Sequence, residues 1–159
     1  MKADPLHVDA QEPDPVRELR IVFAGAHRFG IFADEIEAIA DWRTPTPLPQ
    51  APKSVLGIVC IHSRMLTVLD VAALLGQSAR VGPASPSIIV ALRGDEQLAL
   101  AFDRAGEAVE IAAVQATGND QRSLLLDVVG RGGETVAVFN TGELFAAAIR
   151  GLERRRRRF

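Results

Sequence analysis

Leu19, Ile21 and Phe23 alternate with Arg20, Val22 and Ala24, a period of two that puts one set of side chains on each face of an extended chain. Gly25 to Arg28 supplies a turn, and Phe29, Ile31 and Ala33 alternate again, so the segment reads as a β-hairpin. From Asp34 the pattern changes. Asp34 has the side chain of a helix cap, and Ile36, Ile39 and Ala40 recur at helical spacing, which predicts a short acidic helix of one or two turns. Pro45, Pro47, Pro49 and Pro52 follow. Their fixed φ angles and missing N–H donors exclude helix and central strand between Thr44 and Lys53, leaving an extended surface loop.

Val55 to Ile61 and Met65 to Leu69 are apolar almost throughout, and His62 and Ser63 between them make a turn, which predicts a second hairpin buried on both faces. Asp70 then caps a short helix, Val71 to Leu75, stopped by Gly76. Beyond the loose stretch Gln77 to Pro86, Ser87 to Leu92 and Gln97 to Phe102 flank Arg93, Gly94, Asp95 and Glu96 as a third hairpin. Val109 and Ile111 mark a shorter alternation. After the polar cluster Gly118 to Arg122, the runs Leu124 to Val129 and Glu134 to Phe139 are joined by Gly130, Arg131, Gly132 and Gly133. Asn140 and Glu143 have capping-box spacing in front of a C-terminal helix starting near Thr141.

Two of these segments are alike. Val68 to Leu75 and Val138 to Phe145 each carry two apolar strand residues, an Asp or Asn cap, and an apolar pair four and five places beyond the cap. Many short strands with closely spaced turns indicate an all-β fold of small barrels or a sandwich, and the repeated strand–cap–helix ending indicates two related halves. Strands do not alternate with long helices as a doubly wound sheet requires.

The 159 residues are 48% hydrophobic, enough for a sizeable core in a single domain, expected here over residues 17–150. Residues 1–16, with three prolines among acids, offer too little apolar surface to offset the entropy of ordering and read as a flexible lead-in. Residues 151–159 form an arginine-rich tail around Arg154 to Arg158. No apolar run approaches the roughly 18 residues of a membrane span, and the acidic N-terminus lacks the pattern of a secretory signal, so a cytoplasmic protein with no membrane insertion is expected. A formal net charge of -2 excludes the broad positive field of a phosphate-gripping surface. Cys60 is the sole cysteine, has no internal disulfide partner, and reads as a core thiol.

No catalytic constellation emerges. The glycines at 130, 132 and 133 join two strands and lack the Gly-Lys-Ser/Thr ending of a phosphate loop. His7, His27 and His62 are scattered, and Cys60 with His62 supplies too few ligands for a metal. Ser63 follows His62 directly, which on a strand points the two to opposite faces, and no Gly-x-Ser-x-Gly elbow surrounds it. Asp34, Glu35 and Glu37 read as solvated acids and Asp103 as a turn residue. The expectation is no enzyme, no cofactor, no metal and no small-molecule substrate.

Phe29-Gly30-Ile31, Ile36 and Ile39, the proline loop, Leu56-Gly57-Ile58-Val59, Val68-Leu69-Asp70-Val71 and Leu74-Leu75-Gly76 resemble the CheW-like family in order and spacing. The second half adds Ser87-Ile88-Ile89-Val90, Leu100 to Asp103, and Glu134 to Phe145, so the resemblance runs from about Leu19 to Ile149. It implies two small five-stranded SH3-like β-barrels sharing a core, plus a C-terminal helix. It also implies a non-enzymatic chemotaxis adaptor that docks the regulatory domain of a CheA-type histidine kinase and the cytoplasmic tip of a methyl-accepting chemoreceptor. Where the family has Asn-Leu-Arg-Gly, this chain has Cys60-Ile61-His62-Ser63, with Arg64 two places beyond the replaced arginine, and Thr67 stands where a proline is usual. On the resemblance, Ile36, Ile39, Gly57, His62 and Arg64 form part of a partner surface, with burial of the two isoleucines in the core as the competing reading. From a different class, a small β-barrel could bind nucleic acid through the arginine tail, although no strand face interleaves aromatic and basic residues for base stacking.

Overall fold

The computed structural model describes residues 17–75, 86–115 and 124–148. Its strands are β1 (Glu18–Ala24), β2 (His27–Phe32), β3 (Ile36–Asp41), β4 (Val55–Ile61), β5 (Arg64–Leu69), β6 (Ile88–Leu92), β7 (Leu98–Phe102), β8 (Arg104–Gln115), β9 (Leu125–Gly130) and β10 (Thr135–Phe139). One turn of α-helix, α1 (Val71–Leu74), follows β5, single 3-10 turns occupy Ala33–Glu35 and Thr141–Glu143, and residues 144–148 are helical. The N-terminal lead-in, the stretch around Gly76, the polar cluster at 118–122 and the arginine run 154–158 lie outside the described residues.

Two five-stranded sheets result, as the family resemblance implies and in keeping with the two related halves read from the repeated strand–cap–helix ending. One is a closed barrel of order β1-β2-β10-β9-β8, and the other is a sheet of order β3-β6-β7-β5-β4. Neighbouring strands are antiparallel except for β2 with β10 and β5 with β7. Each sheet therefore repeats one plan, in which a hairpin strand is joined in parallel to the strand that runs into the Asp70 or Asn140 cap. This shared plan is the structural origin of the likeness between Val68–Leu75 and Val138–Phe145. The second sheet leaves β3 and β4 unpaired with each other, and the proline loop lies against β4 through a single bridge between Thr46 and Ile58.

Burial follows the alternation. Leu19, Ile21, Phe32, Val109, Val128, Val136 and Val138 fill the closed barrel, while Val59, Ile61, Leu66, Val68 and the small residues Ala91, Ala99 and Ala101 form a second cluster on one face of the second sheet. A third cluster lies between the sheets. It contains Val22, Phe29 and Ile31 from one sheet, Val90, Leu98, Leu100 and Phe102 from the other, and Phe139 and Leu144 from the chain's last elements. The ring of Phe139 sits 5.1 Å from Phe29 and 6.0 Å from Phe102, so one fully buried aromatic couples both sheets.

The acidic helix expected after Asp34 is instead a 3-10 turn leading into β3. Ile36 pairs with Leu92 and Ile39 with Val90, and a β-bulge between Ile36 and Ala38 shifts the register by one. That extra residue brings side chains three apart onto one face, which imitates helical spacing in the sequence. Asp34 is no cap: both carboxylate oxygens accept 2.9 Å hydrogen bonds from Arg17, whose guanidinium lies 3.8 Å over the Phe32 ring. Asp70 does cap its helix as expected, accepting from the Ala72 N–H at 3.1 Å. At the C-terminal helix, Asn140 takes the cap position, but the first turn is 3-10 and no side-chain cap bond is made.

Candidate docking surface

Gly57 determines how the proline loop meets the second sheet. Its φ of 147° is a conformation that L side chains rarely adopt, and a β-carbon there would lie 2.7 Å from the Thr46 carbonyl carbon and 2.9 Å from Pro45 Cβ. Because position 57 is bare, the loop backbone can lie directly against β4, with Thr46 and Ile58 exchanging both backbone hydrogen bonds at 2.9 Å. Arg43 adds a second tie, donating from Nη1 to the Cys60 carbonyl at 2.6 Å. Together these contacts occupy part of the outer edge of β4 and hold Leu48 in the open.

The β4–β5 hairpin is closed by His62 and Ser63, both in the left-handed region with φ of 50° and 66°. A two-residue hairpin loop of the mirror-image kind needs these angles, so the expected turn is present without its usual Asn-Gly. Burial on both faces is not. Ile61 and Leu66 point into the core, while Cys60 and Met65, directly opposite one another, point outward and are exposed. The expectation that Cys60 is a core thiol is corrected accordingly: it falls on the outward face of β4, opposite the face that buries Gly57, Val59 and Ile61.

With the loop held alongside, this outward face becomes one wall of an open groove of about 510 Å³, lined by Arg43, Thr44, Thr46, Leu48, Ile58, Cys60 and Met65. Met65 is 59% exposed and Leu48 42%, which makes them two of the few large apolar side chains left uncovered among the described residues. Sequence reasoning missed Leu48 and Met65. Their signal is positional, since Leu48 stands between prolines that hold it away from the core and Met65 faces Cys60 across the strands.

The five residues marked out from the sequence fall into three settings. Ile36 and Ile39 lie on β3, partly buried and packed on the inter-sheet core. Gly57 is buried beneath Thr46. His62 is exposed in the hairpin turn. Arg64 begins β5 on the Ile61 face, donating at 3.0 Å to the Gly94 carbonyl and lying 3.5 Å from Glu37, which Arg93 approaches to 3.9 Å. The structure thus joins Arg64 to the start of β3 through Glu37, and joins Gly57 to the groove through Thr46. Among the described residues, no group of three His, Cys, Asp or Glu side chains is placed to hold a metal ion.

Residues 18–148 match the family profile of the CheW-like domain, which takes in every strand described above. The chain belongs to the CheW-like domain family. Within that family it is similar to the chemotaxis protein CheW of Rhizobium meliloti (strain 1021), at 28% identity over 96 residues, a stretch covering 60% of this chain and 62% of that protein. The fold is also that of scaffolding protein TtCheW from Thermoanaerobacter tengcongensis, whose crystal structure superposes with a TM-score of 0.67 over 82% of this chain and 87% of that one, at 13% identity. A CheW-like fold at so low an identity rests on apolar alternation and turn geometry, the features that retain the sheets when individual side chains change.

Proposed function

We propose that this chain is a non-catalytic cytoplasmic adaptor that couples chemoreceptors to a CheA-type histidine kinase in a chemosensory array. Family membership supports the class of role. The observation that carries the reading to a surface is the groove beside β4, where Leu48, Ile58, Cys60 and Met65 are presented on a framework tied down by Thr46 and Arg43. Exposed apolar side chains on a backbone held by hydrogen bonds suit a protein partner, because covering them removes apolar area from water.

The partner surface in this reading extends from the groove around the hairpin end to His62 and Arg64, and along β3 through Ile36 and Ile39. Gly57 serves it by letting the loop approach β4. Two separated contact regions, one apolar and one charged, are what a coupling protein needs in order to hold two different partners at once. Kinase activity, nucleotide chemistry and metal binding form no part of the reading, and neither does nucleic acid.

Co-purification of the full chain with its cognate kinase regulatory domain and receptor cytoplasmic fragment tests the proposal, with Met65→Asp as the probe. Met65 is exposed, so the variant should fold with an unchanged thermal transition and bind one of the two partners at least about tenfold more weakly, as expected for charge placed in an apolar contact. Failure of the natural chain to retain either partner would end the adaptor reading.

A further inference from the structure

The closed barrel has a mouth at the end where β1 turns into β2, and its chemistry differs from that of the groove. Phe23 on β1 is the direct cross-strand partner of Arg28 on β2 and of Arg104 on β8, so an arginine, a phenylalanine and an arginine stand in one row across three neighbouring strands. Phe23 lies on the barrel's inner face with Leu19 and Ile21, which places the row at the rim of the interior. The Arg104 guanidinium lies 3.8 Å over the Phe23 ring. Gly106 follows on β8, and a β-carbon there would come within 2.9 Å of that ring. The bare position lets the Phe23 ring settle against β8, beside an open space at the rim. The space measures about 240 Å³ and is lined by Ile21, Phe23, Arg28, Arg104, Gly106 and Glu107.

Neither of these two arginines is neutralised by an ion pair, a state they share with Arg20 and Arg43 among the described residues. Arg17, Arg64, Arg93 and Arg131, by contrast, each have a carboxylate within ion-pair distance. Two uncompensated guanidiniums flanking an aromatic floor form a receptor for a carboxylate: the fork geometry matches it, and an arginine already stacked on a ring has less freedom to lose on binding. Glu107 is the one acid in the lining, which leaves the lining a net single positive charge, complementary to one carboxylate; Asp103, next to Arg104, turns its carboxylate to the Gly25 N–H instead.

We propose that this barrel mouth binds an acidic segment of a protein partner, with one Glu or Asp side chain seated between Arg28 and Arg104 and its methylene stem on Phe23. The proposal rests on the adaptor reading and gives it a further contact of opposite character. The opening is smaller than the several hundred Å³ usual for an organic cofactor, and it suits one side chain of a longer segment.

Nuclear magnetic resonance titration of the full chain tests this, using an acetylated Glu-rich peptide, its Gln-for-Glu counterpart and inorganic phosphate as three separate probes. The acidic peptide should move the Arg28 and Arg104 Nε–H and Gly106 N–H resonances saturably, with apparent affinity falling about tenfold in Arg28→Gln/Arg104→Gln and falling as salt is raised. Arg28→Lys/Arg104→Lys should retain part of the affinity, since charge survives and the fork does not. Equal binding of the Gln counterpart, equal shifts with phosphate alone, or no saturable shift would each overturn the proposal. A chain that holds kinase and receptor but leaves these resonances unmoved removes the barrel-mouth contact alone; a chain that holds neither removes the adaptor reading.

Discussion

A side chain at Gly57 would run into the backbone of Thr46, and this one approach sets the path of the proline loop across the second sheet. Gly57→Ala must either adopt an angle costing about 1–3 kcal/mol or push the loop off β4 and break the paired Thr46–Ile58 hydrogen bonds. Urea unfolding should report a loss of at least that size. Displacement of Leu48 from the groove should accompany it, seen as weaker partner binding out of proportion to the fraction unfolded. A variant as stable as the natural chain would show that the crossing is not held by this glycine.

The hairpin turn predicts a gain. His62 and Ser63 both occupy left-handed angles that cost an L-residue about 1 kcal/mol each, whereas glycine adopts them freely. Ser63→Gly should raise stability by about 1 kcal/mol, because relief of strain in the folded state outweighs the added freedom of the unfolded chain. Ser63 lies between His62 and Arg64 at the hairpin end of the proposed partner surface, so the readout of this variant is stability and not binding. Thermal denaturation that falls with the glycine would contradict the turn geometry.

Neighbouring carboxylates should respond to pH in opposite senses. The hydrogen bonds from Arg17 hold the Asp34 carboxyl below its ordinary value of 3.8, so the stability it contributes is complete above that value and is lost as pH falls through the folded-state value. Burial pushes Glu35 above its ordinary 4.5, against the opposing effects of Thr141 and Arg17, and its Oε1 atom is buried without a partner. The sign reverses there: the protonated form is favoured in the folded state, and that contribution, complete below 4.5, disappears as pH rises through the folded-state value. Glu35→Gln should therefore be more stable than the natural chain at neutral pH and indistinguishable from it below pH 4.5. Chemical denaturation across that range checks the crossing, and a difference that does not vary with pH would exclude titration of Glu35 as the cause.

How much of this was legible in the amino-acid order differs from element to element. Leu19 to Phe32, the hairpin around Gly94, the Asp70 cap and the closing strands before Asn140 announce themselves, because alternation, turn residues and caps are local physics that a few neighbouring residues settle. The likeness between Val68–Leu75 and Val138–Phe145 carried the two-sheet plan as well. Ile36 and Ile39 misled, since a bulge against β6 produces the same spacing as a helix turn and only the partner strand distinguishes the two. Cys60 and Met65 are as apolar as their buried neighbours, and nothing in the run Val55 to Leu69 states that one face of the hairpin has no layer packed over it. The groove beside β4 joins Arg43 to Cys60, 17 places on, through an edge contact, and the Arg28–Phe23–Arg104 row joins Phe23 to a residue 81 places away through pairing across three strands. Local order decided which strands form; which of their faces stay open, and which distant side chains meet there, was decided by closure of one sheet into a barrel and the packing of the other against it.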